Sequence, residues 1–242
     1  MTSASAPPHL RPPPVVPNDW NGSVLLVDKP LHWSSFKVVE RVRALTGVRK
    51  VGHAGTLDPL ATGLLIILVG RPATRHMESF MRQEKTYVGT LRLGGSTDSY
   101  DAELPVTPVG PWAMVSTEAL DTVRQQFVGT IVQRPPMYAA IKVDGERLYK
   151  KARRGEEVEV PERTVTVHSF DVLEHRGPDV TFRVRCSKGT YVRSLAHDLG
   201  QALGVGAYLS SLVRTGIGKH QLSDAWTMGQ LTQAVAQATP SA

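Results

Sequence analysis

One acid in this chain sits where a carboxylate could work. The stretch RKVGHAGTLDPLATGLL, residues 49–65, places Asp58 among Gly52, Gly55 and Gly63 and follows it at once with Pro59. A residue before proline is driven out of the helical region. Asp58 is therefore expected on a non-helical turn against the start of the apolar run Leu64 to Val69. Glycine allows backbone shapes and close approaches that a side chain forbids, and rigid scaffolds often present reactive groups on such loops. An ordinary Asp-Pro turn has the same local pattern, because Asp bonds its own backbone and Pro presets the bend.

Other chemistries are poorly supplied. The chain has no G-x-x-x-x-G-K-[ST] phosphate loop and no G-x-S-x-G elbow. Its 8 histidines form no H-x-x-x-H pair or His/Cys cluster, and His53 alone is a poor metal ligand. A single cysteine, Cys186, excludes a disulfide within the chain and argues against a Cys-based zinc site. What remains is a carboxylate-centred mechanism or a binding protein without chemistry. The net charge of +6 favours polyanions as partners: RNA, DNA or an anionic membrane surface. The longest apolar run is too short to span a bilayer, and no signal-peptide core is present, so a cytoplasmic protein is the default expectation.

The elements that must position Asp58 can be read in order. Residues 1–19 form a Pro-rich leader expected to be disordered. Ser23 to Asp28 reads as a strand. Ser34 or Ser35 caps a helix with Phe36, Val39, Val42 and Leu45 on one face, and Gly47 ends it. Leu64 to Val69 reads as a buried strand, 72–82 as a helix with Pro72 just inside it, and Lys85 to Leu93 as a strand. Residues 94–104 read as an acidic loop, and a helix runs from Ser116 or Thr117 to about Phe127. In 133–163 a strand-like MYAAIKV meets the hairpin signal Asp144-Gly145, then a short basic helix ending at Gly155. Six cations fall between Lys142 and Arg154, with Tyr138 and Tyr149 interleaved. Two strands follow, Thr164 to Glu174 and Asp179 to Cys186. A helix spans about 190–203, AYLSSLVRTGIG forms a further compact unit, and a last helix lies near 227–237. Strands and helices mix without a strict βαβ repeat, which predicts an α+β class with a mixed, mostly antiparallel sheet flanked by helices.

GHAGTLDPLATGLL resembles the catalytic motif of the TruB family of tRNA pseudouridine synthases. The resemblance continues, in order, through KTYVGTLRLGGSTDSYD, RPPMYAAIKVDGERLYKKARRG, CSKGTYVRSLAHDLG and GVGAYLSSLVRTGIG, over roughly 23–220. It implies a pseudouridine synthase fold over 20–242 with a basic, thumb-like RNA-binding insert at 133–163. It also implies isomerisation of uridine 55 in the TΨC loop of tRNA, without metal or organic cofactor. The base would be flipped out, cut from C1′, turned, and rejoined through C5.

Residue by residue, the resemblance makes Asp58 the catalytic carboxylate, acting on charge that develops at C1′, much as glycosidase acids do. Arg193 would pair with it and favour its charged form. Tyr87 would stack on the flipped base, offsetting the cost of extrusion, and Tyr191 and Leu212 would line the pocket. His53 would fill the gap left by the flipped nucleotide, and Arg214 is a further basic position. Lys142, Arg147, Lys150, Lys151, Arg153 and Arg154 of the insert would contact the tRNA stem-loop. Two departures stand out. Residues 219–242 form a short C-terminal remnant rather than a complete PUA-type domain, and Arg75 stands where the family commonly has lysine. The expected partner is tRNA, with no membrane and no obligatory protein partner, and the chain is expected to be a monomer. The alternatives are a non-catalytic RNA-binding or tRNA-folding protein on the same scaffold and an enzyme of guided ribosomal-RNA modification. A DNA- or membrane-surface protein would explain the charge but not the motifs.

Overall fold

The computed structural model describes residues 19–139, 141–143, 145–156 and 158–238, so residues 1–18 of the expected leader lie outside it. Chain order begins with strand β1 (Val24–Lys29), helix α1 (Ser35–Thr46), β2 (Val51–His53), β3 (Ala61–Val69), α2 (Gly70–Thr74), α3 (Met77–Arg82) and β4 (Lys85–Leu93). It continues through β5 (Gly95–Ser96), β6 (Thr107–Pro108), α4 (Thr117–Gln125), β7 (Gly129–Gln133), β8 (Lys142–Val143), β9 (Glu146–Arg147) and α5 (Leu148–Arg153). The remainder is β10 (Arg163–Arg176), β11 (Asp179–Cys186), α6 (Val192–Ala202), β12 (Ala207–Ile217), β13 (His220–Gln221) and α7 (Met228–Ala238). The chain divides into two units, one of residues up to Lys85 and from Val213 onward, the other Thr86–Leu212.

In the first unit β3 lies between β1 and β12, with β2 also paired to β3 and β13 to β12. β1 and β3 run antiparallel, from Val24 opposite Leu68 to Lys29 opposite Gly63. β3 is buried on both faces, which explains its unbroken apolar run. Leu65, Ile67 and Val69 pack with Val38, Val39 and Val42 of α1 and with Trp226 and Leu231. Leu64, Ile66 and Leu68 pack with Ala54, Ala73, Ile217 and Ala225.

Capping fixes α1 as the sequence predicts. Ser34 accepts from the Lys37 amide at 3.0 Å, and Gly47 ends the helix in the left-handed region at φ 69. The buried face differs from expectation. Ser35, Val38, Val39 and Val42 point inward, while Phe36 is 55% exposed. The reason is polar: the Ser35 hydroxyl is bonded to the Leu57 backbone, which turns position 35 inward and position 36 out.

The second unit orders its strands β12-β4-β11-β10-β7. β11 and β7 flank β10, both antiparallel to it. Phe170 and Phe182 meet edge to face at 5.3 Å in its core, where Leu120, Leu195 and Leu199 are also buried. β4, β10 and β11 match the sequence reading closely, and β7 and β12 are additions to it. The predicted 72–82 helix is split by a turn at Arg75 and His76 into α2 and α3. The strand expected in MYAAIKV reduces to β8, which pairs with β9 as the hairpin signal predicts.

One glycine of the central stretch is fixed by protein packing. Gly63 has φ 97, and a Cβ there would stand 2.5 Å from the Arg214 carbonyl oxygen and 2.9 Å from its nitrogen. Gly63→Ala therefore meets both backbone strain and overpacking, and it is expected to cost about 2–4 kcal/mol. Denaturant unfolding measures this; a loss under about 1 kcal/mol would show that the two strands can separate freely.

Candidate active site

The loop bearing Asp58 lies between β2 and β3, in neither helix nor strand. Its backbone groups are bound largely by buried side chains from other parts of the first unit. The Ser35 hydroxyl donates to the Leu57 carbonyl at 3.1 Å and accepts from the Leu57 amide at 2.9 Å. Arg214 donates from Nε to the Leu64 carbonyl at 2.7 Å, from Nη1 to Thr56 at 3.4 Å, and from Nη2 to Gly55 at 3.2 Å. Lys29 Nζ donates to the carbonyls of Trp33 at 2.6 Å, Pro30 at 3.0 Å and Pro59 at 3.5 Å. The His32 amide also donates to the Pro59 carbonyl at 2.9 Å, and the Ala61 amide to that of Asp58 at 3.1 Å.

Lys29 is 0% exposed and Arg214 is 1% exposed. A buried charge is tolerable only when its donors are satisfied, so these cations and the loop fix one another. The result holds the peptide groups on both sides of Asp58. Leu57 is buried beneath the turn and Asp58 is half-buried, the combination that keeps a carboxylate oriented yet reachable.

His53 ends β2, opposite Ile67 and five residues before Asp58. Burial pushes its imidazole below the ordinary value, opposed by a hydrogen bond with Gly55 and reinforced by the Arg214 charge. His53 and Asp58 thus share one braced segment.

Tyr87, Tyr191, Arg193 and Leu212 belong to the second unit. Tyr87 and Gly89 occupy the same buried side of β4, and a Cβ on Gly89 would stand 3.0 Å from Leu212 Cδ1. Leu212 therefore lies on the sheet face that carries Tyr87. The backbone of Tyr191 is clamped at both ends of one residue by Gln133, whose Oε1 accepts from its amide at 2.7 Å and whose Nε2 donates to its carbonyl at 3.0 Å. Arg163 lies 5.3 Å over the Tyr191 ring.

Arg193 begins α6 and is almost wholly buried. Its Nη1 lies 3.4 Å from Asp101 Oδ2 and 3.1 Å from the Ser99 carbonyl, and its Nη2 is 3.2 Å from the Tyr138 carbonyl. Asp101 is held in turn by the Ser99 hydroxyl at 2.6 Å and the Glu103 amide at 3.0 Å. Beside it, Tyr100 adopts φ 62 and stacks on His197 of α6, ring centroids 3.8 Å apart. Burial lowers the His197 pKa and raises that of its neighbour Asp198 to about 6.

Sequence reasoning missed Asp101, Ser35 and Lys29. For Asp101 the signal was an acid flanked by hydroxyl residues in STDSYD; for the other two it was a Lys-Pro and a double serine that also read as plain turn and cap signals. In the insert, the side chains of Lys142 and Arg153 lie outside the described residues. Arg147 and Lys150 are exposed and Lys151 half-buried. Arg154 is bound to Glu146 at 2.8 Å and to Glu156 at 2.6 Å, so its charge is locally balanced rather than offered outward. Among the described residues, no cluster of three His, Cys, Asp or Glu side chains could hold a metal ion, and no helix is long and apolar enough to cross a membrane.

Comparison with known proteins bears on the family and the fold. The model of the TruB family pseudouridylate synthase N-terminal domain matches residues 43–192. That of the tRNA pseudouridylate synthase B C-terminal domain matches residues 193–241. The tRNA pseudouridine synthase B of Opitutus terrae is 49% identical over 208 residues, covering 85% of this chain and 85% of that protein. The protein of the same name from Phocaeicola vulgatus is 46% identical over 209 residues, covering 84% and 88%. Among solved structures, a chain of a Cbf5-Nop10-Gar1 complex superposes with TM-score 0.66 at 31% identity, over 87% of this chain and 53% of its own. A chain of an H/ACA RNP bound to a substrate RNA containing 2′-deoxyuridine gives TM-score 0.65 at 30% identity, over 87% and 52%. The chain thus spans about half the length of those two solved chains.

Two outcomes follow from the geometry. Because folding lowers the His53 pKa, the unfolded chain binds the extra proton near 6.5, and stability is intact above that value and falls as pH drops through it. Melting temperatures at pH about 7.5 and about 5.5 should therefore differ less for His53→Gln than for the parent. Asp101→Asn removes a buried counter-ion of Arg193 and should cost about 3 kcal/mol in denaturant unfolding; a neutral result would mean the remaining partners of Arg193, the Ser99 and Tyr138 carbonyls among them, suffice.

Proposed function

The chain belongs to the TruB family of pseudouridylate synthases, and from that membership we propose that it converts uridine 55 in the TΨC loop of tRNA to pseudouridine. That it forms pseudouridine in tRNA follows from relatives of that name matching most of the chain. The position within tRNA and the residue roles are proposed. The observation that carries it is the braced loop: a half-buried carboxylate, Asp58, fixed from both sides by Ser35, Lys29 and Arg214.

Such a carboxylate does not need to reorganise when charge develops at the ribose C1′, and preorganised electrostatics is the largest lever an active site has. Asp58 is assigned to the sugar, as nucleophile or as the base that takes a ribose proton. Tyr87 is assigned to the face of the extruded base, with Leu212 beside it and Tyr191 on the pocket wall. Extrusion costs a few kcal/mol and one stacked aromatic returns about 1–3 kcal/mol. Arg193, which is also held by Asp101, is the cation proposed to keep the reacting carboxylate ionised. His53, kept neutral by burial, is assigned to the space the uridine vacates. Arg147, Lys150 and Lys151 remain proposed phosphate contacts, with Lys142 and Arg153. Arg154 is better placed to hold the insert together. Cytoplasmic location, a monomeric state and independence from protein partners are proposed with the same reading.

Incubation with unmodified tRNA, followed by pseudouridine mapping, tests this directly. Pseudouridine is expected at position 55, and Asp58→Asn should lower turnover by at least about 10³-fold while tRNA binding changes less than about threefold. A modified site elsewhere in tRNA would overturn the positional assignment. An active Asp58→Asn protein would reduce Asp58 to a turn residue.

A further inference from the structure

The N-terminal end of α1 carries chemistry that the reaction above does not employ and that the core uses only in part, through one side of Trp33. Phe36 is 55% exposed and Leu31 is 48% exposed on a helix and turn whose other side is fully packed. The Arg43 guanidinium lies 5.7 Å over the Phe36 ring, and the Lys37 ammonium lies 4.5 Å over the Trp33 ring. The Trp33 face steadies Lys37, while Arg43 is held by the ring and by the Val51 carbonyl, to which its Nη2 donates at 3.1 Å. In the preceding turn, His32 is exposed with φ 61, a region non-glycine residues seldom adopt. Local strain of that kind persists where the surrounding structure imposes it, and it clusters at functional sites.

This strip adjoins the reactive loop. The His32 amide is bonded to the carbonyl of Pro59, the residue after Asp58, and Ser35 grips Leu57, the residue before it. We propose that His32, Trp33, Phe36 and Lys37 form a second RNA-contact surface, on which nucleotides flanking the target uridine stack and set their phosphates. The proposal rests on the reading of the chain as a tRNA-modifying enzyme. Lys37 and Arg41 are exposed on this part of α1, with Glu40 as the exposed acid between them, so the balance suits a polyanion. Interface cores between proteins are depleted of charge, whereas alternating rings and cations match the sequence-tolerant binding of single strands. An extruded nucleotide leaves its neighbours partly unstacked, and an exposed ring beside the reactive loop is where such a base gains most.

The test uses the full chain, unmodified tRNA, initial rates and equilibrium binding. Phe36→Ala should raise KM and Kd by about 5-fold or more, the range of one lost stack, with kcat at saturation within about twofold. Phe36→Tyr, which keeps the ring, should restore both. Lys37→Ala should reduce the magnitude of the slope of log Kd against log salt by about 0.7–0.9, one phosphate contact. His32→Gly removes the backbone strain, so its melting temperature should equal or exceed the parent's while KM rises; a purely structural residue would leave KM unchanged. Unaltered Kd and KM in Phe36→Ala, Lys37→Ala and His32→Gly would overturn the proposal. A parent protein that makes no pseudouridine would overturn the functional reading instead, and the surface would still stand or fall on Kd.

Discussion

The structure depends on how the carbonyls of one irregular loop are satisfied. A chain segment outside helix and sheet still carries a donor and an acceptor on nearly every residue, and those that are buried must be paired. Around Asp58 the pairing comes from Lys29, Ser35 and Arg214, each from a different element. Two of the three are charged and essentially out of water. Removing an ammonium or guanidinium from solvent costs several kcal/mol unless its hydrogen bonds are replaced. The loop replaces them. The cost of burying the cations thereby becomes a reason for one loop geometry over its alternatives.

The second unit repeats the logic with different partners. Gln133 reaches across to bond both backbone groups of Tyr191, fixing the turn that starts α6. One step along that helix, Arg193 is held by Asp101 and by two carbonyls. Tyr100, stacked on His197 one turn further, ties the Asp101 segment to the same helix. In both units a residue with a proposed role sits next to backbone that is clamped by side chains distant in sequence. Preorganisation here comes from polar contacts around the site; the apolar core supplies the platform on which they are built.

How much of this was legible depended on whether the controlling interaction was local. The caps of α1 and α4 are written in Ser34, Gly47 and Ser116, and all three act as read. β4, β10 and β11 alternate clearly because one side of each is buried. The face of α1 was misjudged because periodicity weighs Phe36 above Ser35, whereas a hydroxyl paired to buried backbone takes the inner position. β12 escaped because a strand with serines, an arginine and a glycine within it looks irregular until its neighbours are known. The Asp58 turn is visible in the sequence, and its glycines allow a close approach without saying of what. Gly63 admits the Arg214 backbone, a contact between segments about 150 residues apart that no local pattern encodes.

The same distinction changes how the positive charge is understood. Counting cations in the insert treats each as an outward field, but Arg154 spends its guanidinium on Glu146 and Glu156 and contributes little beyond them. Lys29, Arg193 and Arg214 are likewise committed to the interior, holding backbone in place. A net charge of +6 therefore overstates what an approaching polyanion meets, because cations buried in the interior are counted in it. The cations that remain outward act through position more than number, because screening confines a surface charge to within about 10 Å at ordinary salt. Lys37 meets that condition: it is exposed and steadied on the Trp33 ring, on the helix whose N-terminal turn grips the loop that carries Asp58. Charge placed there would act beside the carboxylate proposed to do the chemistry, whereas the same charge on the far end of the chain would only raise the rate of encounter.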